Sequence, residues 1–224
     1  MIDLSLYLVT DRRLSSGRDT VNVVAAALRG GVSCVQLREK QANTREFMEE
    51  ARAVKTLLDS LEQPVTLIIN DRLDVAMAVQ ADGVHLGQND MHITDARRLV
   101  GDTMIIGISA ECIEDALAAE RAGADYLGIS PVYTTPTKTD TAAPLGLSGL
   151  RQIRQAVSLP LVGIGGINNE NALDVLGAGA DGVAVVSAIV SAPCPRSAAA
   201  SLAREIKRFK AEHPKGMHPA PCEY

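Results

Sequence analysis

The 224-residue sequence predicts a single (β/α)8 barrel of the α/β class, and three observations carry that prediction. Eight short apolar runs alternate with helix-patterned segments, which implies parallel strands joined by crossover helices. A related joint recurs as "QADGVHLG" (80–87), "RAGADYLGIS" (121–130) and "GAGADGVAVVS" (177–187), with "RGGVSCVQL" (29–37) a looser relative that lacks the Asp. Nearly every predicted strand ends in polar residues or glycine while the strand starts do not, as a site at one mouth of a barrel requires. A doubly wound open sheet is the alternative, and it obeys the same rule that chemistry sits beyond the C-terminal ends of the strands.

The elements follow in order. Strand one is "LSLYLV" (4–9) and runs into "TDRR". Thr20–Leu28, rich in Val and Ala, is a helix stopped at Gly30-Gly31. Strand two is "CVQL" (34–37), and Thr44 is an N-cap candidate for a helix from 44 to 61. Strand three, "VTLII" (65–69), leads to Asp71 and a short helix in "RLDVAMAV". Strand four is "GVHL" (83–86) and strand five "MIIGI" (104–108), with no helix assigned between them. The helix from 111 to 122 carries Ile113, Leu117 and Ala118 on one stripe. Strand six, "YLGI" (126–129), is followed by a loop from Pro131 to Pro144, long enough to be a lid. A helix over 149–157, strand seven "LVGI" (161–164), a helix over 169–176, strand eight "GVAVV" (182–186) and a helix over 198–209 complete the barrel, and Ser187 is placed to begin a short extra helix. The barrel domain spans 1–210, and the tail "AEHPKGMHPAPCEY" (211–224) is expected to lie outside it, disordered and without assigned function. Asp82, Asp125 and Asp181 immediately precede strands, at the end opposite a site, and read as turn and cap residues.

Composition narrows the partners. The net charge of −5 argues against a general polyanion binder, and 3% aromatics with no Trp leave no stacking platform for bases, so nucleic acid is not an expected partner. The four cysteines are scattered without metal-ligand spacing. The opening "MIDLSLYLVTDRR" has no basic segment followed by a long apolar one, and no apolar run approaches the roughly 20 residues of a membrane helix. The expectation is a reduced, cytoplasmic protein with no membrane partner, with a homo-oligomer left open.

The chemistry is read from the strand ends. Strand two continues as "QLREK" (36–40), and a period of two puts Gln36, Arg38 and Lys40 on one face and Val35, Leu37 and Glu39 on the other. In a barrel the first set climbs the interior to the mouth, the second packs against helices, and Glu39 becomes a local ion-pair or turn residue. Asp71 and Asp90 follow neighbouring strands, and two acids on adjacent loops suit Mg2+, which takes one or two carboxylates plus waters and phosphate. Either could instead be a helix cap. Arg38, Lys40 and Lys138 offer a fork and two point charges to phosphate, with a solvated surface role the alternative for Lys138. Gly165-Gly166 and Ser187 end the last two strands, where backbone amides commonly cradle a monophosphate, although a Gly pair is also simply a tight turn. His85 reads as a packed barrel residue rather than a base.

The pieces "LYLVTDR" (6–12), "QLREK", "NDR" (70–72), "GVHLGQND" (83–90), "GISA" (107–110), "TPTKTD" (135–140), "GIGGI" (163–167) and "VVSAI" (185–189), in this order, resemble the thiamine-phosphate synthase family. The resemblance implies a (β/α)8 barrel that uses Mg2+ to join 4-amino-2-methyl-5-hydroxymethylpyrimidine diphosphate to 4-methyl-5-hydroxyethylthiazole phosphate. It assigns Gln36, Leu37, Arg38, Glu39, Lys40, Asn70, Ser109 and Lys138 to the pyrimidine diphosphate, with Arg38, Lys40, Ser109 and Lys138 catalytic. It assigns Asp71 and Asp90 to Mg2+, and Thr135, Thr137, Gly166, Val186 and Ser187 to the thiazole phosphate, with Pro136 in the same substrate-binding stretch. Tyr133-Thr134 stands where a Phe-Pro pair is frequent in the family, which touches lid packing and leaves the binding residues in place. A thiazole tautomerase on the same barrel, or a non-catalytic phosphate-ligand barrel, is the alternative.

Overall fold

Strands that are apolar on both faces need cover on both sides, and a closed parallel barrel ringed by helices gives it. The computed structural model describes residues 2–135 and 143–214. Strands β1 (Leu6–Val9), β2 (Cys34–Leu37), β3 (Thr66–Asn70), β4 (Gly83–Leu86), β5 (Ile105–Ala110), β6 (Tyr126–Ile129), β7 (Leu161–Ile164) and β8 (Gly182–Val185) close into one parallel barrel, with β8 pairing to β1. Helices α1 (Thr20–Leu28), α2 (Thr44–Asp59), α3 (Leu73–Ala78), α4 (Ile93–Val100), α5 (Ile113–Arg121), α6 (Gly146–Ala156), α7 (Ala172–Gly177), α8 (Ser187–Val190) and α9 (Pro195–Glu212) surround it.

The strands lie where the apolar runs put them, within two residues. Helix α4 lies between strands four and five, where no helix is assigned from the sequence. It buries Ile93 and Ala96, and Val100 packs half-buried beside them, so the helix carries a short i, i+3, i+7 stripe with mostly polar residues on its other face. The Asn43 side chain, not Thr44, caps α2, accepting from the Glu46 N–H at 3.1 Å. Helix α9 starts earlier than expected, with Pro at its first position, and continues to Glu212, two residues past the expected boundary at 210. The expected tail lies outside the described residues from 215 onward.

The alternation along each strand sorts side chains into two cores. Leu8, Val35, Leu37, Leu67, Ile69, Val84, Leu127 and Val183 face outward and pack against the helices. Tyr7, Val9, Cys34, Ile68, Tyr126, Val162 and Ala184 fill the barrel interior. The inner core is small because the upper interior is given over to polar residues.

The recurring joints fasten the barrel floor. The Asp82 carboxylate accepts from the Leu67 N–H at 2.7 Å, Asp125 from Ile106 at 2.7 Å and Asp181 from Leu161 at 2.9 Å. The looser joint does the same with a hydroxyl: Ser33 Oγ accepts from the Leu6 N–H at 3.0 Å. Each even-numbered strand is thus preceded by a side chain that satisfies an early amide of the odd-numbered strand before it. Arg97 reaches Asp125 at 2.6 Å and Arg154 reaches Asp181 at 3.3 Å, which ties α4 and α6 into the same joints. These residues lie at the opposite end from the mouth, and their role is structural. Asp181→Ala is expected to lower stability by about 1–3 kcal/mol, the cost of a buried amide left without its partner. Chemical denaturation measures the loss, and the Michaelis constants of the folded variant should not move.

Candidate active site

At the other end, a cavity of about 290 Å3 opens between the C-terminal strand ends. The "QLREK" segment climbs its wall. Gln36 is 5% exposed, the Arg38 side chain 17% and the Lys40 side chain 49%, so the three rise from the floor to the rim. Arg38 donates to Asp11 Oδ2 at 2.9 Å, while the other Asp11 oxygen accepts from the Arg13 and Leu14 amides. Lys40 pairs with Asp71. Leu37 is fully buried toward the helices. Glu39 Oε1 accepts from the Gln41 and Ala42 amides, and its second oxygen lies 3.5 Å from Arg12. The Leu37 and Glu39 side chains therefore turn away from the cavity, although both stand in the binding stretch taken from the resemblance.

The acids meet at the rim. Asp71 sits immediately after β3 with φ +63°, a left-handed conformation that Asp tolerates better than most residues. Its amide donates to the His85 carbonyl at 2.8 Å, which locks the turn to β4. Asp90 reaches back to the Gly87 amide at 2.7 Å. Burial, and then the adjoining Asp71 carboxylate, raise the Asp90 carboxyl above its ordinary value. Two carboxylates in contact, with Lys40 beside them, form an oxygen site open to the cavity. Among the described residues no group of three or more His, Cys, Asp or Glu is arranged to hold a metal.

The floor is a chain of hydrogen bonds. Gln36 Nε2 donates to the Tyr7 hydroxyl at 2.9 Å, the Tyr7 and Tyr126 hydroxyls are 2.8 Å apart, Tyr126 is 2.9 Å from His85 Nδ1, and His85 Nε2 is 2.9 Å from Ser109 Oγ. Burial pushes both phenols well above their usual range, so they stay neutral. Glycines make the room: a Cβ on Gly107 would fall 2.1 Å from the Tyr126 ring, and one on Gly128 would fall 2.9 Å from His85.

On the far wall, Gly165 and Gly166 follow β7 with φ of +104° and +65°. A Cβ on Gly166 would lie 2.6 Å from the Thr134 carbonyl, so the turn sits directly under the base of the β6–α6 loop. Val186 and Ser187, at the start of α8, line the cavity with Gly166 and Thr135. The structure thus gathers Gln36, Arg38, Lys40, Asn70, Asp71, Asp90, Ser109, Thr135, Gly166, Val186 and Ser187 around one cavity. Pro136, Thr137 and Lys138 lie outside the described residues. Tyr7, Tyr126 and Asp11 join the site without having been expected there. The signal for the tyrosines is their inward parity in "LYLV" and "DYLG", and for Asp11 its place at the end of β1 beside Arg38.

Comparison with known proteins converges on one family. The family model for thiamine monophosphate synthase matches residues 6–189. The chain belongs to the thiamine monophosphate synthase family. It is 55% identical over 203 residues to the thiamine-phosphate synthase of Albidiferax ferrireducens, covering 91% of this chain and 92% of that protein. It is 54% identical over 202 residues to that of Chloroflexus aurantiacus, covering 90% and 92%. Among solved structures, a thiamine phosphate pyrophosphorylase from Pyrococcus furiosus superimposes with a TM-score of 0.85 at 42% identity, covering 93% of this chain and 98% of that one. The family expected from the motifs is therefore the family found, and so is the barrel.

Proposed function

We propose that this protein is a thiamine-phosphate synthase, a transferase that joins the pyrimidine diphosphate to the thiazole phosphate and releases diphosphate. The observation that carries the reading is the single cavity that brings the Arg38–Lys40 ladder and the Asp71–Asp90 pair to one side and the Gly166–Ser187 wall to the other. A tautomerase or a sensor needs only the second side.

Asp71 and Asp90 would hold Mg2+. The two abutting carboxylates are a donor set that fits it, since Mg2+ prefers a few oxygen ligands and keeps waters and phosphate for the rest. Once bound, the ion supplies positive charge to the departing diphosphate. Arg38 and Lys40 add to that charge from the wall, Arg38 with its orientation fixed by Asp11, and Lys138 would do so from the lid. The C–O bond to diphosphate breaks with both electrons leaving on oxygen. The amino-pyrimidine ring donates electron density to the exposed carbon, and the thiazole nitrogen then contributes its lone pair to form the new C–N bond. Ser109, Gln36 and Asn70 face the cavity where the pyrimidine would lie. Gly166, Val186 and Ser187, with Thr135 and Thr137, would hold the thiazole phosphate and aim its nitrogen, so catalysis rests on positioning and electrostatics. Leu37, Glu39 and Pro136 would serve through the shape of the binding stretch. These soluble, phosphorylated substrates suit the cytoplasmic location expected from the sequence, and no helix among the described residues is long and apolar enough to cross a membrane.

The test mixes the protein with both phosphorylated substrates. Thiamine phosphate is expected to form with Mg2+ present, to stop with a chelator and to return on adding excess Mg2+. Absence of product with metal present would overturn the function, and undiminished product in chelator would remove the metal from it.

A further inference from the structure

The hydrogen-bond chain under the cavity has a direction. Gln36 Nε2 can only donate, so Tyr7 oxygen accepts from it and keeps one hydrogen of its own to give. The oxygen acceptor in reach is Tyr126, 2.8 Å away. Having accepted that hydrogen, Tyr126 has one to give to His85 Nδ1 at 2.9 Å. A neutral imidazole that accepts at Nδ1 carries its proton on Nε2, which donates to Ser109 Oγ at 2.9 Å. Ser109 then keeps its own hydrogen for the cavity. Among the described residues, the reverse polarity would leave the Tyr7 hydrogen only the Cys34 thiol, a weak acceptor, in a fully buried place. The cost of an orphaned buried donor selects the first arrangement. No buried side-chain nitrogen or oxygen among the described residues lacks a partner, as that arrangement requires.

We propose that Tyr126 is a positioning residue for the synthase reaction: with Tyr7 it fixes His85 as the Nε2–H tautomer, and so makes Ser109 a hydrogen-bond donor to an acceptor nitrogen of the pyrimidine ring. Tyr126 touches no reacting atom. It acts by setting which way the hydrogen bonds of β2, β4 and β5 point into the cavity, and Gly107 and Gly128 leave beside it the space that its ring and the imidazole need. The ligand part of this inference rests on the proposed function; the tautomer part does not.

Two measurements test it. In the 15N spectrum of histidine-labelled protein, with the His85 signals assigned by their loss in His85→Gln, Nδ1 should resonate as a bare nitrogen and Nε2 as a protonated one. In Tyr126→Phe, which keeps the ring but removes the donor, the two tautomers should mix. The same variant should show a KM for the pyrimidine diphosphate raised about three- to tenfold, the scale of one neutral hydrogen bond, with the KM for the thiazole phosphate unchanged. A proton on Nδ1 in the wild type, alone or on both nitrogens, overturns the proposal even if the variant does not fold. So does a Tyr126→Phe enzyme with the wild-type tautomer and wild-type pyrimidine KM. If the wild type makes no thiamine phosphate, the functional reading fails instead, and the spectrum still decides the tautomer.

Discussion

Asp71→Asn is expected to lower turnover by roughly 10²-fold while leaving thermal stability nearly unchanged. The reason for choosing Asn lies in the backbone. Asp71 has φ +63°, and Asn is one of the few residues that accept the left-handed region with little strain. The substitution therefore removes a charge without disturbing the turn that carries it. What disappears is half of an acidic pair that the structure brings into contact at the rim, together with the partner of Lys40. A site for a hard cation depends on carboxylate charge, so the Mg2+ concentration for half-maximal rate should rise as kcat falls. Asp71→Ala should show a similar kinetic loss and an added loss of about 1 kcal/mol from backbone strain. Steady-state kinetics over a Mg2+ titration, with a thermal melt of each variant, separates the two effects. A near-normal rate in Asp71→Asn would take Asp71 out of the metal site.

Period two along a strand is a property of the backbone, and that is why the faces of "QLREK" are legible in the sequence: Gln36, Arg38 and Lys40 must share a side, and closure makes that side the interior. The pairing of Asp71 with Asp90 is legible for a similar reason, because strands three and four are neighbours in any barrel of this order. Other features depend on information that one chain segment does not contain. Parity in "LYLV" and "DYLG" turns Tyr7 and Tyr126 inward, but only the closed barrel brings their hydroxyls and His85 into one chain of hydrogen bonds. In the sequence, Arg38 reads as a cation waiting for phosphate. That it leans on Asp11 follows from the pairing of β1 with β2, which places Val9 opposite Gln36 and carries both strand ends to the same height. Helix α4, by contrast, is written in its own segment, because Ile93, Ala96 and Val100 recur at i, i+3 and i+7 with mostly polar residues between them. Strand parity thus fixes what faces the cavity, and tertiary register fixes what each of those groups does with its charge.

The Arg38–Asp11 pair leads to the second large effect, in which rate and stability both fall. Arg38→Met should slow turnover by roughly 10²- to 10³-fold, since it removes a preorganised guanidinium from the wall assigned to the leaving group. It should also destabilise the fold. The Asp11 side chain is only 3% exposed, and Arg38 is its charged partner on the cavity side. Breaking a buried pair from one end costs about 3–5 kcal/mol when nothing else holds the remaining charge. Asp11 keeps the Arg13 and Leu14 amides, and Arg13 lies 3.8 Å away, so the loss should be smaller, about 2 kcal/mol, or a fall in Tm of about 4–8 °C for a domain of this size. The orphaned Asp11 charge can be removed independently. Asp11→Asn in the Arg38→Met background removes that charge and should recover at least half of the lost stability, without recovering rate. Asp11→Asn alone leaves the guanidinium in the cavity wall with a neutral acceptor, and its rate should fall by less than about tenfold, or 1.4 kcal/mol. If the double variant is no more stable than Arg38→Met, the orphaned Asp11 charge is not what the single variant loses. If the double variant regains rate, Arg38 acts on the fold and not on the leaving group.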